Sequence, residues 1–208
     1  MPSADSPRPS EGAALLEGMS PRRREIVASI ATAFAARGYH GVGMRELARE
    51  LGLNQGTLYH HFPSKDHALL AICRIGQGET HGNVRAVLRV EALFADRVRG
   101  LFDAHLASLD RLGDYVDVFT AQWEAVPPPL AAPLREGWAA TRRLFHRLFE
   151  DALAAGEIAP GTDPHDAMRL LLGVYRTANV LHRTGRKEEM RPFVTLATDV
   201  LVRGFART

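Results

Sequence analysis

From Pro21 onward, apolar residues recur at spacings of three and four, and no segment alternates apolar and polar residues with period two. The pattern predicts an all-α chain without a sheet. Ile26, Ile30 and Phe34 repeat every four residues and predict a first helix over about Pro21 to Arg37. Ser20 can cap it, Pro21 suits its first turn, and Gly38 is expected to end it in a left-handed conformation. A second, short helix is expected over about Met44 to Leu51, with Leu47, Ala48 and Leu51 inward and Gly52 as its stop. Asn54 is a good cap for a third helix over Gln55 to Phe62, which Pro63 stops. Ser64 caps a fourth, with Asp66 in its first turn complementing the helix dipole.

Longer helices follow. Phe94, Val98, Leu101, Phe102, His105 and Leu109 form one stripe, and Tyr115, Phe119 and Trp123 another. Val126–Leu130, "VPPPL", is a break. Leu134, Trp138, Phe145, Leu148 and Phe149 mark the next helix, ending at Gly156, and Asp163 lies near the start of another. Ala167, Leu170, Leu171, Val174, Ala178 and Leu181 mark the penultimate helix. Phe193, Leu196, Ala197, Val200, Leu201 and Phe205 mark the last. Residues 1–20 are rich in Pro, Ser, Ala and Glu without an apolar period, and read as a disordered tail. The expected organisation is tail 1–20, a short helical domain 21–67 and a larger helical domain 68–208.

Charge sharpens this division. The net charge of the 208 residues is only +2, but residues 21–67 carry seven basic and four acidic side chains, headed by Arg22-Arg23-Arg24. A basic block of this kind suggests a polyanionic partner. No apolar run approaches the length of a membrane span, and the N-terminus lacks the pattern of a secretory signal. The single Cys73 cannot form an internal disulfide and reads as a small buried hydrophobe, so a cytoplasmic setting is expected.

The second and third helices carry the function. Ala48 permits close approach, Gly52 makes the turn, and Leu53 and Leu58 plug the angle between the helices, which describes a helix-turn-helix. In that motif the second helix enters the DNA major groove. Leu58, His61 and Phe62 share one face, expected to be inward. Gln55 and Tyr59, and Gly56 and His60, lie on the other. Gln55 can read a base edge, and Gly56 lets the backbone come close. Thr57, Tyr59 and His60 suit phosphate oxygens, and Lys65 and Arg45 point the same way. With the cap Asn54, the candidate DNA-contacting set is Arg45, Asn54, Gln55, Gly56, Thr57, Tyr59, His60 and Lys65. The adjacent His60 and His61 do not read as a metal site. They point about 100° apart and have no Cys or carboxylate at ligand spacing.

The run "GTLYHHFPSKD" after a Gly-led turn, preceded by "RELARELGL" and "IATAFAARGY", resembles the DNA-binding domain of the tetracycline-repressor (TetR/AcrR) family. The resemblance covers about Arg22 to Leu70. It implies a homodimeric repressor that binds a palindromic double-stranded operator and releases it when a small molecule enters the C-terminal domain. One departure is Val42-Gly43-Met44, where the family often has a Thr or Ser cap whose hydroxyl is available to phosphate. An activator would have the same DNA contacts. An all-helical enzyme is the rival from another class, but no nucleophile–base order, metal spacing or phosphate loop supports it. No cofactor is expected. Phe102, His105, Tyr115, Phe119, Trp123, Phe145, Tyr175 and Arg176 are the candidate lining of an effector cavity, with His182 nearby. The last two helices are expected to pair across a dimer.

Overall fold

The computed structural model describes residues 10–206. Among them lie nine α-helices: α1 Glu11–Glu17, α2 Pro21–Arg37, α3 Met44–Glu50, α4 Gln55–His61, α5 Lys65–Arg89, α6 Phe94–Gln122, α7 Pro128–Ala154, α8 Pro164–Arg183 and α9 Lys187–Phe205. A 3-10 turn, Trp123–Ala125, joins α6 to α7. The sole β feature among the described residues is an isolated bridge between Ile158 and Ala206. No helix among them is long and apolar enough to cross a membrane.

The expected caps form. The side chains of Ser20, Asn54, Ser64 and Asp163 accept hydrogen bonds from backbone N–H groups in the first turns of α2, α4, α5 and α8. Gly38 ends α2 with φ +75° but ψ 157°, so it departs from the left-handed helical conformation into an extended one that glycine alone adopts easily.

The expected disordered tail is corrected. Residues 1–9 lie outside the described residues, but Glu11–Glu17 is a helix packed on α5. Its small-residue face hides it from a search for large apolar periods. A Cβ added to Gly78 would sit 3.0 Å from the Gly12 nitrogen, and one on Gly82 would sit 3.1 Å from the Glu11 nitrogen. Bare backbones therefore let α1 lie against α5. The Ser10 hydroxyl donates to the fully buried Glu79, and Arg85 pairs with Glu11 at 2.7 Å.

The long helix α5 contacts α1, α2, α6 and α7. The expected boundary at residue 67 falls inside its first turns, and packing is continuous there. Ile26, Ile30, Phe34, Leu47, Leu58 and Phe62 share one apolar cluster with Ile72, Ile75, Val118, Phe119 and Leu134. A second cluster joins the end of α5 and the first half of α6 to α7, α8 and α9. The two expected stripes, Phe94 to Leu109 and Tyr115 to Trp123, belong to one helix, α6, kinked at Leu112 (φ −132°, ψ 30°). Beside the kink, Gly113 leaves room for the His182 ring, whose Nδ1 lies 2.7 Å from Asp117 Oδ2. Burial pushes the Cys73 thiol up to about 12, in keeping with an inert core residue.

α5 and α6 approach closely at Gly76. An added Cβ would lie 2.7 Å from the Tyr115 carbonyl carbon and 2.9 Å from Phe119 Cβ. Because the obstacle is mainly backbone, it cannot swing aside. Gly76→Ala should therefore destabilise the fold by about 1–3 kcal/mol, despite alanine's advantage of about 1 kcal/mol in a helix interior. Thermal unfolding should show a Tm several degrees lower; an unchanged or higher Tm would contradict the contact.

Candidate functional site

Helices α3 and α4 form the expected helix-turn-helix. Gly52 takes φ +63°, and the Leu53 N–H donates to the Ala48 carbonyl at 2.8 Å. Leu58 and Phe62 are fully buried, which fixes which side of α4 faces the core. Gln55, Gly56, Tyr59 and His60 are exposed and Thr57 is half-buried. Arg37 braces the unit by holding both oxygens of Glu50, at 2.7 and 2.8 Å, and Glu46 at 2.9 Å. The paired charges raise the Arg37 pKa and lower that of Glu50, chiefly through their hydrogen bonds.

Several site residues are already engaged within the chain. Asn54 Oδ1 accepts from the Thr57 N–H at 2.7 Å and from the Thr57 hydroxyl at 2.9 Å. The Asn54 oxygen and the Thr57 proton are thus committed to the cap. Lys65 Nζ lies 4.2 Å from the centroid of the Tyr39 ring, and partial burial lowers its pKa. The Tyr39 hydroxyl in turn bonds Asp66, and burial pushes it up to about 12. Arg45 is exposed and makes no ion pair among the described residues. In the basic run, Arg22 pairs with Glu25 at 2.8 Å, the Arg23 guanidinium lies 4.7 Å from the centroid of the Phe62 ring, and Arg24 is exposed. Gly43 caps α3 without a side-chain oxygen, and Glu46 accepts from its N–H at 3.5 Å.

The expected core placement of His61 is corrected. It is only half-buried, because Leu58 and Phe62 already fill the inner angle of this seven-residue helix. Its ring meets that of His60 edge-on at 5.7 Å. Desolvation, and then the charges of His60, Arg23 and Arg22, lower its pKa. Among the described residues no group of three or more His, Cys, Asp or Glu is placed to hold a metal ion.

A cavity of about 480 Å³ lies between α5, α6, α7 and α8. Of the candidate lining, His105, Phe119, Trp123, Phe145, Tyr175 and Arg176 reach it. Phe102 and Tyr115 do not, which corrects two positions. Phe102 stands behind the wall with its ring 5.2 Å from that of Tyr175. Tyr115 is buried in the cluster shared with α2–α5, its carbonyl against Gly76. His182 also stays outside, bonded to Asp117. Residues missed by the periodicity include Thr80 on α5, Trp138 on α7, and Asn179 and Arg183 on α8. Asn179 and Arg183 follow Tyr175 and Arg176 by one and two turns, a signal that could have been read.

Three of the cavity's hydroxyls are spent on backbone carbonyls. Thr80 donates to Gly76 at 3.1 Å, Thr120 to Val116 at 2.9 Å and Tyr175 to Leu101 at 3.0 Å. His105 Nε2 lies 2.9 Å from Asn179 Oδ1, and its ring is stacked 4.2 Å from that of Tyr175. The lower end of α6 reaches the opposite way. Gln122 Nε2 donates to the Phe34 carbonyl at 2.8 Å, and Gln122 Oε1 accepts from the Tyr39 N–H at 2.5 Å.

Residues 26–72 match the family model described as "Bacterial regulatory proteins, tetR family". The matched stretch holds the helix-turn-helix and parts of the two helices that flank it. The chain is 30% identical over 89 residues to the HTH-type transcriptional repressor KstR2 of Mycolicibacterium smegmatis, a match spanning 43% of each chain. It is 25% identical over 154 residues, 74% of this chain and 67% of the relative, to the HTH-type transcriptional activator FasR of the same organism. The match thus spans less than half the length of the first of these relatives. Among solved structures, the ketosteroid transcriptional regulator KstR2 of Mycobacterium tuberculosis aligns with a TM-score of 0.82 at 19% identity, covering 91% of this chain and 97% of that one. AibR in complex with isovaleryl coenzyme A and operator DNA aligns with a TM-score of 0.74 at 21% identity, covering 89% and 98%. These similarities extend the shared fold through the helices beyond residue 72.

Burial pushes the His105 imidazole down to about 4, with its Asn179 contact opposing the shift. Between that value and the ordinary 6.5, the unfolded chain binds a proton that the folded chain does not. The contribution of His105 to stability is therefore intact above about pH 6.5 and is lost as pH falls towards 4, by up to about 3 kcal/mol. Urea midpoints measured across this range should fall more steeply for the parent than for His105→Gln. Equal slopes would contradict the burial of a neutral imidazole.

Proposed function

We propose that this chain is a cytoplasmic, homodimeric transcriptional repressor whose hold on a palindromic DNA operator is relaxed by a small-molecule effector. The observation that carries this reading is the outer face of α4. Gln55, Tyr59 and His60 stand exposed around Gly56, and no neighbour within the chain requires glycine there: an added Cβ would meet only Asn54 Oδ1, at 3.4 Å. Even in the first turn of a helix, glycine gives up more backbone freedom on folding than alanine would. Here its use is the close approach of a groove wall. Gln55 reads a base edge, while Tyr59, His60, Arg45 and Lys65 supply phosphate contacts.

A palindrome needs a two-fold partner. The exposed Leu170 on α8 and Leu196 and Val200 on α9 supply apolar surface on the two helices assigned to pairing. Effector control is supported by the likeness to AibR, which was solved with isovaleryl coenzyme A and operator DNA, and by the cavity beside α6. The same end of α6 offers Phe119 and Thr120 to the cavity and Gln122 to α2, so a ligand that moves this segment shifts the recognition helices. The activator FasR among its relatives favours activation as a second reading; reporter expression in a deletion strain separates the two.

Gel shifts on DNA flanking the chain's own gene test DNA binding. A specific shift is expected at low salt, and unaltered mobility would overturn the reading. Gly56→Ala should raise thermal stability while weakening operator binding by about tenfold or more, as loss of one good contact of 1–3 kcal/mol would do. A variant that binds as well as the parent would remove the reason given for Gly56.

Lys65→Ala should weaken binding across sequences alike and lower the slope of log affinity against log salt by about one charge. A loss confined to particular base pairs would contradict its phosphate role.

A further inference from the structure

The cavity's polar groups are distributed unevenly. Arg176 and Arg183 lie seven residues apart on α8, two turns along one face, and both are exposed where that helix borders the cavity. Neither makes an ion pair among the described residues. Glu124 is the acidic side chain among the lining residues, so the rim has two guanidinium groups against one carboxylate. Trp123, Trp138 and Phe119 supply an apolar and aromatic body to the space. Between the two arginines on α8, one turn from each, Asn179 is 4% exposed and its Oδ1 faces His105 Nε2 at 2.9 Å, while its Nδ2 has no hydrogen-bond partner among the described residues. Asn179 lines the cavity, so that amide is a donor available to a guest. The neighbouring His105 is held neutral by burial, so this amide offers a hydrogen bond without a full charge beside it.

We infer that the cavity takes an amphipathic organic carboxylate: its anionic head at Arg176 and Arg183, a second acceptor oxygen close to that head on Asn179 Nδ2, and its apolar body against the two tryptophans. This rests on the reading of the cavity as the effector site and names the chemistry of the effector. Guanidinium groups suit carboxylate by their paired donors. A buried amide left without a partner would penalise a guest that brings no acceptor.

The chain carries its own reporter, because its two tryptophans both line the cavity. Intrinsic fluorescence of the intact protein can be titrated without DNA using decanoate, 3-hydroxydecanoate, and the methyl esters of both. The hydroxy acid should bind tightest, and each acid should exceed its ester by about tenfold or more, the scale of a charge-assisted hydrogen bond. The double variant Arg176→Ala, Arg183→Ala should erase the acid–ester difference. Asn179→Leu should erase the difference between the hydroxy and plain acids while keeping that between acid and ester. Esters binding as well as acids, or no member of the series altering the fluorescence, would overturn the proposal. Gel shifts without ligand read the DNA-binding function separately, so failure of one leaves the other decided on its own result.

Discussion

The fold depends on one close approach, that of α5 and α6 at Gly76. With no side chain there, the α6 backbone passes directly over α5, and Tyr115 and Phe119 settle on either side of the contact. On the opposite side of the same helix, Gly78 and Gly82 admit α1 at similar range. α5 thus works as a spine whose missing side chains set how near its neighbours come. Buried Glu79 ties the same region together, accepting hydrogen bonds from Ser108 and Arg111 at 2.7 Å each and from Ser10. Removing one partner would leave a charge in the interior with fewer donors, a costly state that makes the arrangement stiff.

This stiffness gives α6 its position between the cavity and the helix-turn-helix. Its final turns present Phe119 and Thr120 to the cavity, and Gln122 takes both a donor and an acceptor role at the end of α2. Tyr39, whose backbone Gln122 holds, also bonds Asp66 and lies under the Lys65 ammonium at the start of α5. The end of α2, the start of α5 and the end of α6 therefore meet around one aromatic ring. The Leu112 kink and the Asp117–His182 pair define how this end of α6 leaves the rest of the helix.

Much of this was legible along the chain wherever the signal was local. Asn54 and Ser64 cap because their oxygens reach N–H groups three residues on, and Gly52 turns because of its own backbone freedom. The outer face of α4 was legible because Leu58 and Phe62 had to be inward. The failures share a cause. His61 sits on the predicted inner side, yet a seven-residue helix has room for only two large side chains beneath it. Phe102 and Tyr115 share stripes with cavity residues but point into packed walls, since a periodicity of four does not distinguish a wall from the void beside it. The α1 helix escaped notice because small residues hold it, and their value lies entirely in what they allow to approach.

What the sequence determined by itself was therefore the helix-turn-helix with its caps, the all-helical class, and the polar outer face of α4. Each follows from interactions spanning four residues or fewer. Only the tertiary structure decided that the N-terminal segment docks on α5, that two expected stripes make one kinked helix, and that Asn179 and Arg183 join the cavity while Phe102 and Tyr115 leave it. Those outcomes depend on which backbones can touch, and that depends on bare glycines meeting surfaces from elsewhere in the chain.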